Sequence, residues 1–232
     1  MKRVYMDCEF TGLRKTTTLI SLALVTDDDC YFYAEFTDYD TQQINQWLEE
    51  NVLNNLTMSK NGVSVVGSNN GQPPVHNFHG NEIEQIEMND PQALHIQRYK
   101  VQLRGNSKFI QDNLLKWLET ETWVRAGELM GQVPLQFVCD LYSYDWMLFV
   151  DLITGGKTAL DIPSHVYHIP LDLCSILWSL GLNPDLSREG FAHFLPSKAK
   201  HNALRDARII RACFHQCQTF LRNKMPGAAP GL

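Results

Sequence analysis

Residues Val4 to Phe10 alternate as a strand does. Val4, Met6 and Cys8 point to one side, and Tyr5, Asp7 and Glu9 to the other. The second side therefore carries two carboxylates at positions i and i+2, close together on one face. In water such a pair is unremarkable, and most are simply solvated. On a strand at the centre of a sheet, two like charges side by side are costly unless something positive sits between them. A divalent cation is the usual answer, and oxygen ligands select the hard ions Mg²⁺ or Mn²⁺.

The residues that follow suggest that this strand is central. Thr18–Thr26 is a nearly continuous apolar run, Asp27-Asp28-Asp29 reads as a solvated turn, and Cys30–Phe36 returns as a third strand. Ile44, Trp47, Leu48, Leu53 and Leu56 recur at roughly helical spacing, which predicts a helix over 41–56. From 57 to 106 the sequence turns polar and is broken by Asn69-Asn70-Gly71 and Pro73-Pro74. This stretch reads as an insertion with short strand-like pieces at 63–66 and 99–103. Further elements are expected as a helix at 107–119, a buried strand at 134–139 and helices at 143–153, 171–180 and 202–220. The tail 226–232 is expected to be disordered. Strands alternating with helices give an α/β domain with a mixed sheet, a single domain over 1–225.

Two more places carry chemistry. After the strand ending Phe137-Val138-Cys139, Asp145 falls in the first turn of a helix, where the dipole favours a carboxylate; Asp140, at the strand end, competes with it. Near the C-terminus, Asn202 is a good N-cap, leaving His201 just outside the last helix and Asp206 within it. A loop histidine and a helix-borne Asp can approach one metal site from two sides. Each signal alone is ambiguous.

Together and in this order, MDCEFTGL (6–13), YSYDWMLF (142–149) and HNALRDA (201–207), with TLISLALV (18–25), resemble the DEDDh 3′–5′ exonucleases, in particular the ribonuclease T-like branch. The resemblance covers residues 3 to about 56 and about 107 to 221. It departs where Asp140-Leu141 stands in place of the His-Asn of many relatives. It implies a ribonuclease H-like fold with a mixed central sheet flanked by helices. Asp7, Glu9, Asp145 and Asp206 would hold two Mg²⁺ or Mn²⁺ ions, with His201 as general base. The substrate would be a nucleic acid with a free 3′ end, RNA being favoured over DNA, and a homodimer is expected. The resemblance also places Phe10, Thr11 and Leu13 against the terminal nucleotide, through a Leu13 wedge and main-chain bonds near Phe10 and Thr11. Tyr144 and Trp146 either offer stacking surfaces for a base or belong to the core.

Composition narrows the alternatives. A net charge of −6 counts against a module that holds nucleic acid by charge alone, but much less against a nuclease whose carboxylates are neutralised by cations. No run approaches the ~18–20 apolar residues of a membrane span, and the N-terminus reads as a strand where a secretory signal would need a long apolar segment. Six scattered cysteines without a CxxC pair predict reduced thiols and a cytoplasmic protein. Cys213, His215 and Cys217 lie on one helix with the histidine turned away from the cysteines, which argues against zinc. His76 and His79 lack partner ligands, and His165 and His168 are read as loop residues. The rival outside the enzymes is a catalytically idle nucleic-acid-binding protein on the same fold.

Overall fold

The computed structural model describes residues 1–58, 84–86, 98–126, 129–195 and 200–224. The opening forms an antiparallel meander of β1 (Lys2–Phe10), β2 (Leu19–Thr26) and β3 (Tyr31–Phe36). Beyond β3 lies β5 (Arg98–Gly105), parallel to it, and then β4 (Glu84–Ile86), antiparallel to β5. On the other side, β8 (Leu135–Cys139) runs parallel to β1, and the short β9 (Leu171–Asp172) parallel to β8. The order β4-β5-β3-β2-β1-β8-β9 makes a mixed sheet with β1 well inside it. A separate hairpin joins β6 (Trp123–Ala126) and β7 (Leu129–Gln132).

The alternation along β1 decides what packs on each face. Val4, Met6 and Cys8 meet α2 (Ser107–Thr122) and α3 (Tyr142–Thr154), through Ile110, Leu114, Trp117, Trp146 and Phe149. Phe149 is fully buried with its ring 4.6 Å from Phe137, burial that contributes about 2–3 kcal/mol. On the opposite face, Tyr5 and Val138 pack against α4 (Leu173–Ser179) and α6 (Ala203–Lys224). Ala203 and Ala207, at the start of α6, sit on Ala23, Val25 and Tyr33; their small side chains let the helix approach the sheet. Asp7 and Glu9 share the α6 face, so the first turn of that helix comes down over them.

Several expectations change. The helix expected over 41–56 is broken into a 3-10 turn at Thr41–Gln43, α1 at Gln46–Asn51 and a 3-10 turn at Leu53–Asn55. Asn45 caps α1 by accepting the Leu48 N–H at 2.9 Å, which starts the helix late. The insertion is shorter than expected, because 98–105 belongs to the main sheet as β5. At its other end the Met58 N–H is held by the buried Glu35 carboxylate at 2.7 Å. The strand-like piece at 63–66, His76, His79 and the tail 226–232 lie outside the described residues. The Asp27–Asp29 turn is tied down by side chains: Asp27 accepts from the Tyr5 hydroxyl at 2.7 Å, and Asp29 pairs with Arg211 at 2.9 Å. All six cysteines are free thiols, with Cys213 and Cys217 buried on the inner face of α6, and His215 bonds Asp27 at 2.8 Å. A short further helix, α5, spans Arg188–Phe191. No described helix is long and apolar enough to cross a membrane.

Candidate active site

β8 stops where Cys139 pairs with Met6, so β1 runs on past its neighbour from Asp7 to Phe10. That overrun opens the sheet edge to the N-terminus of α3. Asp145, in the first turn of α3 and buried, reaches back and accepts a hydrogen bond from the Cys8 backbone N–H. From the other face, Asp206 in the first turn of α6 completes the group: carboxylate oxygens of Asp7, Glu9 and Asp206 all lie within 4.8 Å of one another. Asp206 is fixed by the backbone N–H groups of His201 and Asn202.

The electrostatics follow from this crowding. Burial pushes the Glu9 carboxyl up to about 8, aided by Asp206 and Asp145; Asp145 is likewise raised to about 8 by burial and by Asp140. Asp206 rises to about 6, chiefly through burial, with Arg205 opposing. Asp7 is held well above the usual carboxylate range by burial, then by Asp145, Glu9 and Asp206. Among the described residues only Asp206 of the four has a cationic partner, Arg205 at 3.6 Å. Four crowded acids held toward their protonated forms, chiefly by burial, and offering hard oxygen atoms, are a donor set suited to Mg²⁺ or Mn²⁺.

These residues floor a cavity of about 920 Å³ that also takes in His201. His201 stands in the left-handed region, φ 57°, with its ring edge-on to Trp47 at 5.0 Å. Burial and the Lys200 charge hold its imidazole below the ordinary range, so it is neutral and able to accept a proton. Leu141, which opens α3 without a side-chain cap, is also left-handed at φ 59°. Backbone strain of this kind gathers at functional sites.

The other expected residues divide. Leu13 is strongly exposed on the cavity rim, and Phe10 stacks on Tyr144 with ring centroids 5.4 Å apart. Thr11 lines the cavity but is committed elsewhere: its N–H donates to the Thr18 carbonyl at 3.0 Å and its hydroxyl to Gln43 Oε1 at 2.8 Å. The Thr11 N–H is therefore already paired within the protein. Trp146 is core, packed against Phe137 and Phe149, and takes no part in the cavity wall. Its position one residue after Asp145 turns it under the sheet. Asp140 lines the cavity but has both oxygens taken by Arg188, each at 2.8 Å, so Asp145 and not Asp140 is presented to Asp7.

Sequence reasoning missed Trp47, Arg188, Arg205 and the walls they build. Trp47 was expected on the buried stripe of a long helix; with α1 so short, its side chain is half-exposed at the cavity. No local pattern marks Arg188 or Arg205, whose partners Asp140 and Glu189 are assembled by the fold. Compared with known proteins, the chain matches no family model and no curated protein sequence.

Proposed function

We propose that this protein is a metal-dependent 3′–5′ exonuclease on a ribonuclease H-like fold, with RNA as the favoured polymer. The observation that carries the reading is the meeting of Asp7, Glu9 and Asp206 oxygens within 4.8 Å on the floor of a cavity shared with Asp145 and His201. Asp7, Glu9, Asp145 and Asp206 would hold two ions of the Mg²⁺ or Mn²⁺ kind. When bound, these ions neutralise the carboxylates, polarise the scissile phosphate and lower the pKa of the attacking water. His201, kept neutral by burial, would accept the proton as that water attacks phosphorus; the P–O3′ bond breaks, the 3′ oxygen left on the shortened strand takes a proton from solvent, and a nucleoside 5′-monophosphate is released from the 3′ end.

The walls suit a nucleotide. Leu13, Trp47 and Leu141 present exposed apolar surface around the acidic floor, able to cover a base. Arg14 and Lys200 also line the cavity and form no ion pair among the described residues, which leaves two cations for phosphates. The test is a time course on 5′-labelled RNA and DNA oligonucleotides with 3′ overhangs, in Mg²⁺, in Mn²⁺ and in EDTA, beside Asp7→Ala. The expected result is a ladder shortening from the 3′ end that EDTA and Asp7→Ala abolish. The polymer cut faster names the substrate. If neither polymer is cut with either metal, the proposal fails and an idle nucleic-acid-binding fold takes its place.

A further inference from the structure

His201 is bracketed by one residue. The side-chain Nδ2 of Asn55, in the 3-10 turn after α1, donates to the carbonyl of Lys200 at 2.5 Å, just before the histidine. Just after it, Asn202 donates its own Nδ2 to the Asn55 carbonyl at 2.9 Å. The two bonds run in opposite directions, so neither neighbour of His201 can shift without breaking one. Asn55 is itself braced, because Nδ2 also donates to the Asn51 carbonyl at 2.6 Å, and Asn51 donates to the Trp47 carbonyl at 2.9 Å. A ladder of amides thus runs from the tryptophan that touches the His201 ring to the backbone that carries it.

This arrangement answers a cost. A non-glycine residue at φ 57° is strained, and such a conformation persists only where its surroundings over-determine it. Asn202 is already occupied as N-cap, its Oδ1 accepting the Arg205 N–H at 3.1 Å, and its N–H turned to Asp206 at 3.2 Å. Among the described residues, the Lys200 carbonyl just before His201 is held by the Asn55 side chain. We infer that Asn55 is the positioning residue for His201, fixing the strained backbone that aims the imidazole into the acidic cavity. As far as it concerns catalysis, this rests on the reading of His201 as general base.

The experiment compares Asn55→Ala and the isosteric Asn55→Asp, which keeps the shape but loses the donor, with Asn54→Ala at the exposed neighbouring position. One readout is the His201 ring-proton NMR signal, identified by its loss in His201→Ala and displaced in the native protein by the Trp47 ring. The other is steady-state cleavage of an RNA oligonucleotide. Both Asn55 variants are expected to move the His201 signal toward that of a solvent-exposed histidine. They should lower kcat by about 10- to 100-fold with KM within about twofold, the cost of a misplaced group. Asn54→Ala should change neither. An unmoved ring signal and an unchanged kcat in Asn55→Ala, even with a lower Tm, would show that Asn55 only caps α1 and would overturn the inference. If the native protein cuts no nucleic acid, the exonuclease reading fails, while the ring signal still decides whether Asn55 positions His201. Asn55→Asp supplies the same readings should Asn55→Ala fold poorly.

Discussion

Two acidic clusters lie at opposite ends of β1, and they solve the same problem differently. Near its start, Asp28, Cys30 and Glu121 bring ligand-type atoms within 4.8 Å of one another; near its end, Asp7, Glu9 and Asp206 do the same. In the first, the cation is part of the chain: Lys2 pairs with the fully buried Glu121 and lies 3.8 Å from Asp28. In the second, the one lysine or arginine partner among the described residues is Arg205, at the side of Asp206, and the carboxyls are driven toward their protonated forms. Spacing alone therefore does not mark a metal site. What distinguishes the two is whether the fold brings its own counter-charge, and on the proposed function that difference separates a structural cluster from a catalytic one.

The largest expected effect is on pH dependence. Glu9 and Asp145 rise to about 8, and Asp206 to about 6, from ordinary values near 4. In the unfolded chain these groups lose their protons near pH 4, while the folded chain still holds them. The folded state then binds more protons, so stability falls as pH rises. Their contribution is full below about pH 4 and is lost progressively up to about pH 8. His165 and His201, held below their ordinary range, act in the opposite sense around pH 6.5. Because metal binding displaces the carboxyl protons, the difference between Tm with Mn²⁺ and Tm in EDTA isolates the carboxylates. That difference should widen from pH 5 to pH 8. The Lys2 cluster adds nothing to it, since burial places its Cys30 thiol at about 11, above the window. A metal-induced shift that is flat across this range would break the comparison.

Neutralising one charge in each cluster should then have opposite signs. Glu9→Gln removes a carboxyl raised from 4.5 to about 8, and should stabilise the protein in EDTA at pH 8 by about 2–4 kcal/mol while abolishing cleavage. Lys2→Met leaves Glu121 buried without its partner and should cost about 3–5 kcal/mol, with cleavage retained. Urea unfolding of the two variants beside the native protein measures both. The same sign in both variants would mean that the clusters are of one kind.

How far the sequence reached this site depends on the range of the forces involved. Asp7 and Glu9 were legible because a strand's period of two is strictly local, and Asp206 because Asn202 caps its helix in the next residues. Asp145 needed the order of the motifs, since an Asp opening a helix is ordinary. β5 was legible as a strand-like piece at 99–103 but not as part of the main sheet: its parallel partner β3 lies across a long crossover, and no turn signal joins them. The split of 41–56 turned on caps from Asn45 and Asp40 that a helical stripe does not reveal. Asn55 and Arg188 act across the fold, on Lys200 and Asp140, and side chains of that kind leave no periodic trace.

The smallest effect is the most discriminating about what a nearby carboxylate is worth. Asp28 stands 3.8 Å from Lys2, but its side chain is 37% exposed, so water competes for the charge. A pair of that kind contributes about 0–1 kcal/mol. Glu121 is fully buried and keeps Lys2 neutralised without help. Asp28 also accepts a hydrogen bond from the Thr26 hydroxyl, which an asparagine can accept through its side-chain oxygen. Asp28→Asn should therefore lower stability by no more than about 1 kcal/mol and leave the Mn²⁺-induced Tm shift unchanged. A loss well beyond that, reversed by added Mn²⁺, would make the first cluster a second cation site and erase the distinction between the two ends of β1.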